Sequence, residues 1–143
     1  MHSLKDTRMN DSKPRVLLID DDQVYLFAAT KTIEATGMAA SVEVCTNGLD
    51  ALEYLNKIIG SNGKLPDVIF IDINMPVMDG WEFLEEYKTL STKIPSNIKI
   101  YILSSSVDKN DIMRAKEYLS VIDYVVKPVY KERFAEILQA AFC

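Results

Sequence analysis

The sequence predicts an α/β protein built on a doubly wound, five-stranded parallel sheet with five helices. Two observations carry that expectation. Short apolar runs of strand length recur five times, at residues 16–19, 41–45, 68–71, 98–103 and 124–126. Each is followed by a segment of helical period, and near-continuous apolar runs of this kind belong to strands covered on both faces. At 143 residues the chain has the length of one compact domain.

The elements follow in order. After the first run a helix over about 23–36 carries Val24, Phe27, Ala28 and Ile33 on one face and stops at Gly37, with Asp22 as its cap. The second helix, about 48–59, turns Ala51, Leu52 and Leu55 inward, and 60–66 has turn chemistry throughout. A loop with Pro76 and Gly80 separates the third run from a helix through Trp81, Phe83, Leu84 and Tyr87. The linker 91–97 precedes the fourth run. A fourth helix over about 109–119 continues into Leu119-Ser120-Val121-Ile122-Asp123, and a last helix covers about 131–142. Residues 1–14 are polar and end at Pro14, so they read as a flexible N-terminal arm before a domain over 15–143; Met9 is an alternative start.

Sixteen Lys plus Arg against twenty-one Asp plus Glu leave a net charge of −5. Such a field repels phosphate backbones and anionic lipid, which argues against nucleic acid or a membrane as partner. No stretch is long and apolar enough to span a bilayer, and the N-terminus lacks a signal-peptide core. Cys45 lies in an apolar run and Cys143 is the last residue, so neither a disulfide framework nor a thiolate metal site is expected, which fits a reducing cytoplasm.

In a doubly wound sheet the ligand site lies beyond the carboxyl ends of the strands. Reading those positions gives Asp20, Asp21 and Asp22 after the first run, Asp72 after the third, Ser104 after the fourth and Lys127 after the fifth. Carboxylates gathered at one mouth repel one another unless a cation sits among them, and Mg²⁺ is the hard ion that takes such oxygens. Taken singly each part has a plainer reading: Asp20–Asp22 as a solvated turn or cap, Asp72 as a turn residue, Ser104 as loop chemistry, Lys127 as an exposed tether. Their joint occurrence after successive runs favours an active site.

The stretches VLLIDDDQ, PDVIFIDINMPVMDG, IYILSSS and DYVVKP resemble, in order and spacing, the receiver domains of bacterial two-component response regulators, the CheY-like family, over about residues 15–141. The DxxMPxMDG pattern in the second stretch is highly specific. The resemblance implies strand order 2-1-3-4-5. It also implies that Asp20 and Asp21 hold Mg²⁺ with Asp72, which is the phosphoacceptor, while Asn74 offers its backbone carbonyl. Ser104 matches the switch hydroxyl, Lys127 the lysine that pairs with the phosphoryl group, Tyr124 the aromatic switch position, and Pro128 a proline after a cis bond. For Tyr124 an ordinary half-buried strand aromatic is the competing reading.

The resemblance further implies a signalling protein that catalyses only its own phosphorylation and dephosphorylation. Its donor is a histidine kinase or histidine phosphotransfer protein, since the single histidine is His2 in the arm and no glycine-rich nucleotide loop is present. Output is expected through a downstream protein and from the face around the fourth helix, fourth and fifth strands and last helix, because the sequence stops at Cys143; a homodimer stays open. A phosphohydrolase of the haloacid dehalogenase type would need an acid two residues after Asp72, where Asn74 stands. A module that works without phosphorylation would not need this full set of site residues.

Overall fold

The computed structural model describes residues 13–95 and 97–142. Its five strands are β1 (Arg15–Ile19), β2 (Ser41–Cys45), β3 (Val68–Ile71), β4 (Lys99–Ser104) and β5 (Val121–Val126). They form one parallel sheet in the order β2-β1-β3-β4-β5. Between and after them run α1 (Gln23–Ala35), α2 (Gly48–Ser61), α3 (Gly80–Leu90), α4 (Lys109–Ala115) and α5 (Lys131–Gln139), with a 3₁₀ turn at Ser91–Lys93. The predicted fold class, strand order and helix number are those observed.

Alternation along each strand divides the interior into two cores. Leu17, Ile19, Ile69, Ile71, Ile100 and Ile102 face α2, α3 and α4 through Leu55, Phe83, Leu84 and Ala115. Val16, Leu18, Val68, Phe70, Tyr101 and Leu103 face α1 and α5 through Ile33, Phe134 and Leu138. Because side chains alternate with period two, the registers Leu17↔Ile69 and Ile69↔Ile100 stack one layer, and Leu18↔Phe70 and Phe70↔Tyr101 stack the other. Phe70 is the hub of the second core, meeting Phe134 edge-on at 5.3 Å and Tyr101 at 5.7 Å.

The helix starts follow from side-chain caps. Asp22, Asn47, Asp79 and Asp108 each accept a backbone N–H of the turn that follows, and Asp79 with Glu82 completes a capping box. Asp22 is therefore the cap the sequence suggested. Pro14 is buried and its carbonyl accepts the Ala40 N–H at 2.8 Å, which ties the start of the domain to the approach to β2.

Two expectations need correction. The buried face of α1 is Leu26, Ala29 and Ile33, while Val24 and Phe27 are 80% and 68% exposed and Ala28 is exposed too. Ile33 is buried as expected, but Leu26 and Ala29 take the place of Val24, Phe27 and Ala28, because the packing of α1 on β1 and α5, not the period, selects the face. The fourth helix ends at Ala115, not near Leu119: Lys116, Glu117 and Tyr118 donate to carbonyls three residues back, which tightens the chain into turns. Val121–Val126 then forms a longer fifth strand than 124–126, starting where the Ser120 carbonyl accepts Ile100 N–H at 3.3 Å. The β-branched pair Val121-Ile122 suits a pleated edge better than a helix, and an irregularity between Ile100 and Tyr101 absorbs Ile122, which lies half-exposed. Smaller shifts are that α2 runs on to Ser61 with Asn62 in the left-handed region (φ 56°), and that α5 stops at Gln139.

Cys45, in its apolar run, is half-buried at the end of β2; Cys143 lies outside the described residues, as do residues 1–12 of the arm. Burial, then the charges of Asp50 and Glu43, push the Cys45 thiol up to about 11. The thiolate is the reactive form. In a Cys143→Ser variant, alkylation of Cys45 by iodoacetamide is therefore expected to be slow at pH 8 and to rise about tenfold per pH unit toward pH 11; a rate that levels off below pH 9 would contradict the assigned environment.

Candidate functional site

The parallel sheet delivers the ends of β1, β3, β4 and β5 to one edge, and the polar residues of the sequence arrive there together. Asp20 follows β1. Its backbone N–H donates to Cys45 O at 3.1 Å, and its side chain is 2% exposed, with Oδ1 accepting from Asp22 N and Oδ2 from Lys127 Nζ at 2.7 Å. Asp72 follows β3, held by its N–H to Ile19 O at 3.0 Å, with Oδ2 at 3.6 Å from Lys127 Nζ. Asp21 completes a group of three carboxylates whose oxygens lie within 4.8 Å of one another. The Lys127 N–H donates to Ser104 O at 2.8 Å, and the Lys127–Pro128 peptide is cis.

This electrostatic arrangement is unbalanced. Three formal negative charges face one ammonium, and both Asp20 and Lys127 are largely removed from water. Burial pushes the Asp72 carboxyl above its ordinary value; Lys127 opposes that shift and Asp20 adds to it. A divalent cation would offset the residual charge. A hard ion with oxygen ligands suits a donor set of two or three carboxylates, so Asp20, Asp21 and Asp72 can hold a metal ion. A shallow depression of about 300 Å³ lined by Asp21, Asn74, Met75, Pro76 and Asp79 opens at their side. A hollow of about 620 Å³ lies at the opposite edge of the sheet around Tyr87, Ile98 and Leu119 and includes none of the strand-end residues.

Asn74 places its backbone N–H 3.4 Å from Asp72 Oδ1. Ser104 is fully buried, and its Oγ accepts the Ser106 N–H at 3.0 Å. Ser106 in turn donates its hydroxyl to Asp111 Oδ2 at 2.7 Å, and its carbonyl accepts the Tyr124 hydroxyl at 2.8 Å. Ser104, the loop after β4, α4 and Tyr124 are thus joined by one chain of hydrogen bonds.

Sequence reasoning missed one member of this neighbourhood. Tyr25, half-buried in the first turn of α1, sets its ring 4.0 Å from Lys127 Nζ. Burial and the nearby Asp20 and Asp72 push its phenol up to about 12, so it stays neutral. The signal available was slight: an aromatic three residues after a helix-capping Asp, whose target 102 residues later is brought close only by the fold.

A sheet of order 2-1-3-4-5 with acidic ends on β1 and β3 and a lysine after β5 defines a flavodoxin-like α/β protein with a receiver-type site. The chain belongs to the response regulator receiver domain family, whose model matches residues 16–139. It is 32% identical over 124 residues to the sensor histidine kinase CheAY of Helicobacter pylori, covering 87% of this chain but 14% of that protein. With the probable methanogenesis regulatory protein FilR2 of Methanothrix harundinacea it shares 28% over 114 residues, 80% of this chain and 72% of the other. Among solved structures, a two-component response regulator from Cytophaga hutchinsonii matches with a TM-score of 0.82 at 32% identity, covering 90% and 97% of the two chains. A receiver protein from Dyadobacter fermentans gives 0.76 at 29%, covering 90% and 97%.

The loop from Asp72 to Gly80 combines a tight approach with strain. A Cβ on Gly80 would lie 2.6 Å from Asp72 O and 2.8 Å from Ile73 Cα. Gly80→Ala is expected to lower stability by about 1–3 kcal/mol, as overpacking does, and to displace the Asp72 backbone. Val77 has φ 67° and is exposed, an unfavourable setting for a β-branched residue. Val77→Asn is expected to raise stability by about 1 kcal/mol, since Asn tolerates that region. Urea denaturation measures both, and equal signs for the two substitutions would refute this reading of the loop.

Proposed function

We propose that the chain is a receiver that accepts a phosphoryl group on Asp72 and signals by changing shape. The single observation that carries the proposal is the convergence of Asp20, Asp21, Asp72 and Lys127 at one sheet edge. The donor is a phosphohistidine on a histidine kinase or histidine phosphotransfer protein. Residues 15–143 form the receiver, and Pro14, buried and bonded to Ala40, anchors its start. The net charge of −5 speaks against nucleic acid or a membrane surface as the target. No helix of the described residues is long and apolar enough to cross a membrane, and a cytoplasmic location fits this role.

Phosphoryl transfer asks chiefly for positioning and for positive charge on the equatorial oxygens. An Asp72 Oδ attacks phosphorus in line, the new O–P bond forms as the donor's N–P bond breaks, and the imidazole leaves with the electron pair. Asp20, Asp21, Asp72 and the Asn74 carbonyl would hold Mg²⁺, which would supply charge to those oxygens and offset the carboxylates' mutual repulsion. Lys127 turns its ammonium from Asp20 toward a phosphoryl oxygen. Ser104 gives up the Ser106 N–H and donates its hydroxyl to another. That movement pulls on Ser106, and through its carbonyl on Tyr124, so the face of α4, β4, β5 and α5 has two arrangements whose balance the phosphoryl group shifts. The chain performs this chemistry on itself and turns over no separate substrate.

Incubation with acetyl phosphate and Mg²⁺ followed by intact-mass analysis is expected to add one phosphoryl group to the wild type and none to Asp72→Asn. Omission of Mg²⁺ is expected to abolish the gain. Equal incorporation into Asp72→Asn would place the acceptor elsewhere.

A further inference from the structure

We infer that the face of the Tyr25 ring holds the Lys127 ammonium between Asp20 and Asp72, which makes Tyr25 a positioning residue for phosphoryl transfer. The inference rests on the function proposed above. Lys127 reaches the site from the end of β5 on a long, flexible side chain, and three groups fix its tip: Asp20 Oδ2 at 2.7 Å, Asp72 Oδ2 at 3.6 Å and the Tyr25 ring centroid at 4.0 Å. An ammonium within about 6 Å of an aromatic centroid is attracted by the ring face, most strongly where water is excluded. The Lys127 side chain is only 16% exposed, so this contact is of the desolvated kind.

The chemistry of the third partner matters. A further carboxylate in that place would add negative charge to a site that already carries three. An aliphatic side chain would bury the ammonium with no attraction in return. A ring face attracts without fixing a hydrogen-bond direction, so the ammonium can slide from Asp20 toward a phosphoryl oxygen and remain held. The ring is itself well placed for this. The Tyr25 N–H donates to Asp22 Oδ1 at 3.1 Å, and the side chain packs against the core that α1 and α5 cover. The aspartate run that opens the site therefore also orients the ring, through Asp22. The same pairing occurs at Phe27 and Lys31, at 5.5 Å, but on the exposed outer face of α1, where it serves as an internal control.

The test compares Tyr25→Phe, Tyr25→Leu and Phe27→Leu. Ring currents are expected to shift the Lys127 Cε protons upfield in wild type and Tyr25→Phe, with the shift lost in Tyr25→Leu; this NMR readout is independent of phosphorylation. Acetyl phosphate with Mg²⁺ should label Tyr25→Leu about 5-fold more slowly than wild type, a loss in the range of a desolvated cation–π contact. Tyr25→Phe and Phe27→Leu should label like wild type. In a Lys127→Met background Tyr25→Leu should have no further effect, because the two residues act through one contact. Should Tyr25→Leu not fold, Tyr25→Met takes its place. Labelling of Tyr25→Phe as slow as Tyr25→Leu, an effect that persists without Lys127, or Lys127 proton shifts that ignore the ring would each overturn the inference. A wild type that takes up no phosphoryl group would instead sink the proposed function and leave the ring-current result to decide the contact.

Discussion

The structure is organised around one electrostatic constraint: three carboxylates at the edge of a sheet with a single ammonium among them. Asp20 is buried and meets Lys127 at 2.7 Å, and a buried pair of this kind is sustained only when both partners are present and further hydrogen bonds satisfy the remaining atoms. Those bonds exist. Asp20 accepts from Asp22 N–H, Asp72 receives the approach of Asn74 N–H, and no buried side-chain polar atom among the described residues lacks a partner. Even so, burial holds the Asp72 carboxyl above its ordinary value against the pull of Lys127, and three carboxylates still face one ammonium. The excess negative charge is what suits the site to a metal ion, and through it to a phosphoryl group.

The sheet exists, in this view, to hold those charges at fixed separations. Parallel strands carry all their carboxyl ends to one side, and both faces must then be covered, which the two cores do with alternating residues of the same strands. Gly80 shows how tightly the scaffold is drawn around the site: α3 begins so close to the backbone of Asp72 and Ile73 that no Cβ fits. The left-handed Val77 in the same loop is the local strain that accompanies this packing.

On the proposed function, the charged end of the site and the responsive end are separate parts. Asp20, Asp21, Asp72 and Lys127 form the first. Ser104, Ser106, Asp111 and Tyr124 form the second, a continuous run of hydrogen bonds that joins β4, α4 and β5. Nearby, α4 is short and is followed by tight turns, with Tyr118 bonded to Glu85 at 2.6 Å and stacked on Trp81 of α3. A helix held by few turns and a small set of side-chain contacts belongs to the part of a fold that rearranges at low cost.

The fold class was legible because the signals for it are local: five apolar runs with helical segments between them, and turn residues where the chain reverses. The site was legible for the same reason. Asp20, Asp21, Asp72, Ser104 and Lys127 each follow a run directly, so knowing where strands end was enough to gather them. Tertiary structure decided what local signals leave degenerate. Helical spacing on α1 allowed more than one inward face beside Ile33, and only docking on β1 and α5 buried Leu26 and Ala29 in place of Val24, Phe27 and Ala28. Val121 and Ile122 could extend a helix or open a strand, and the free edge of β4 settled it. The Tyr25 contact with Lys127 spans most of the chain, and no period or spacing in a sequence encodes a meeting that exists only once the first and last strand ends share one edge.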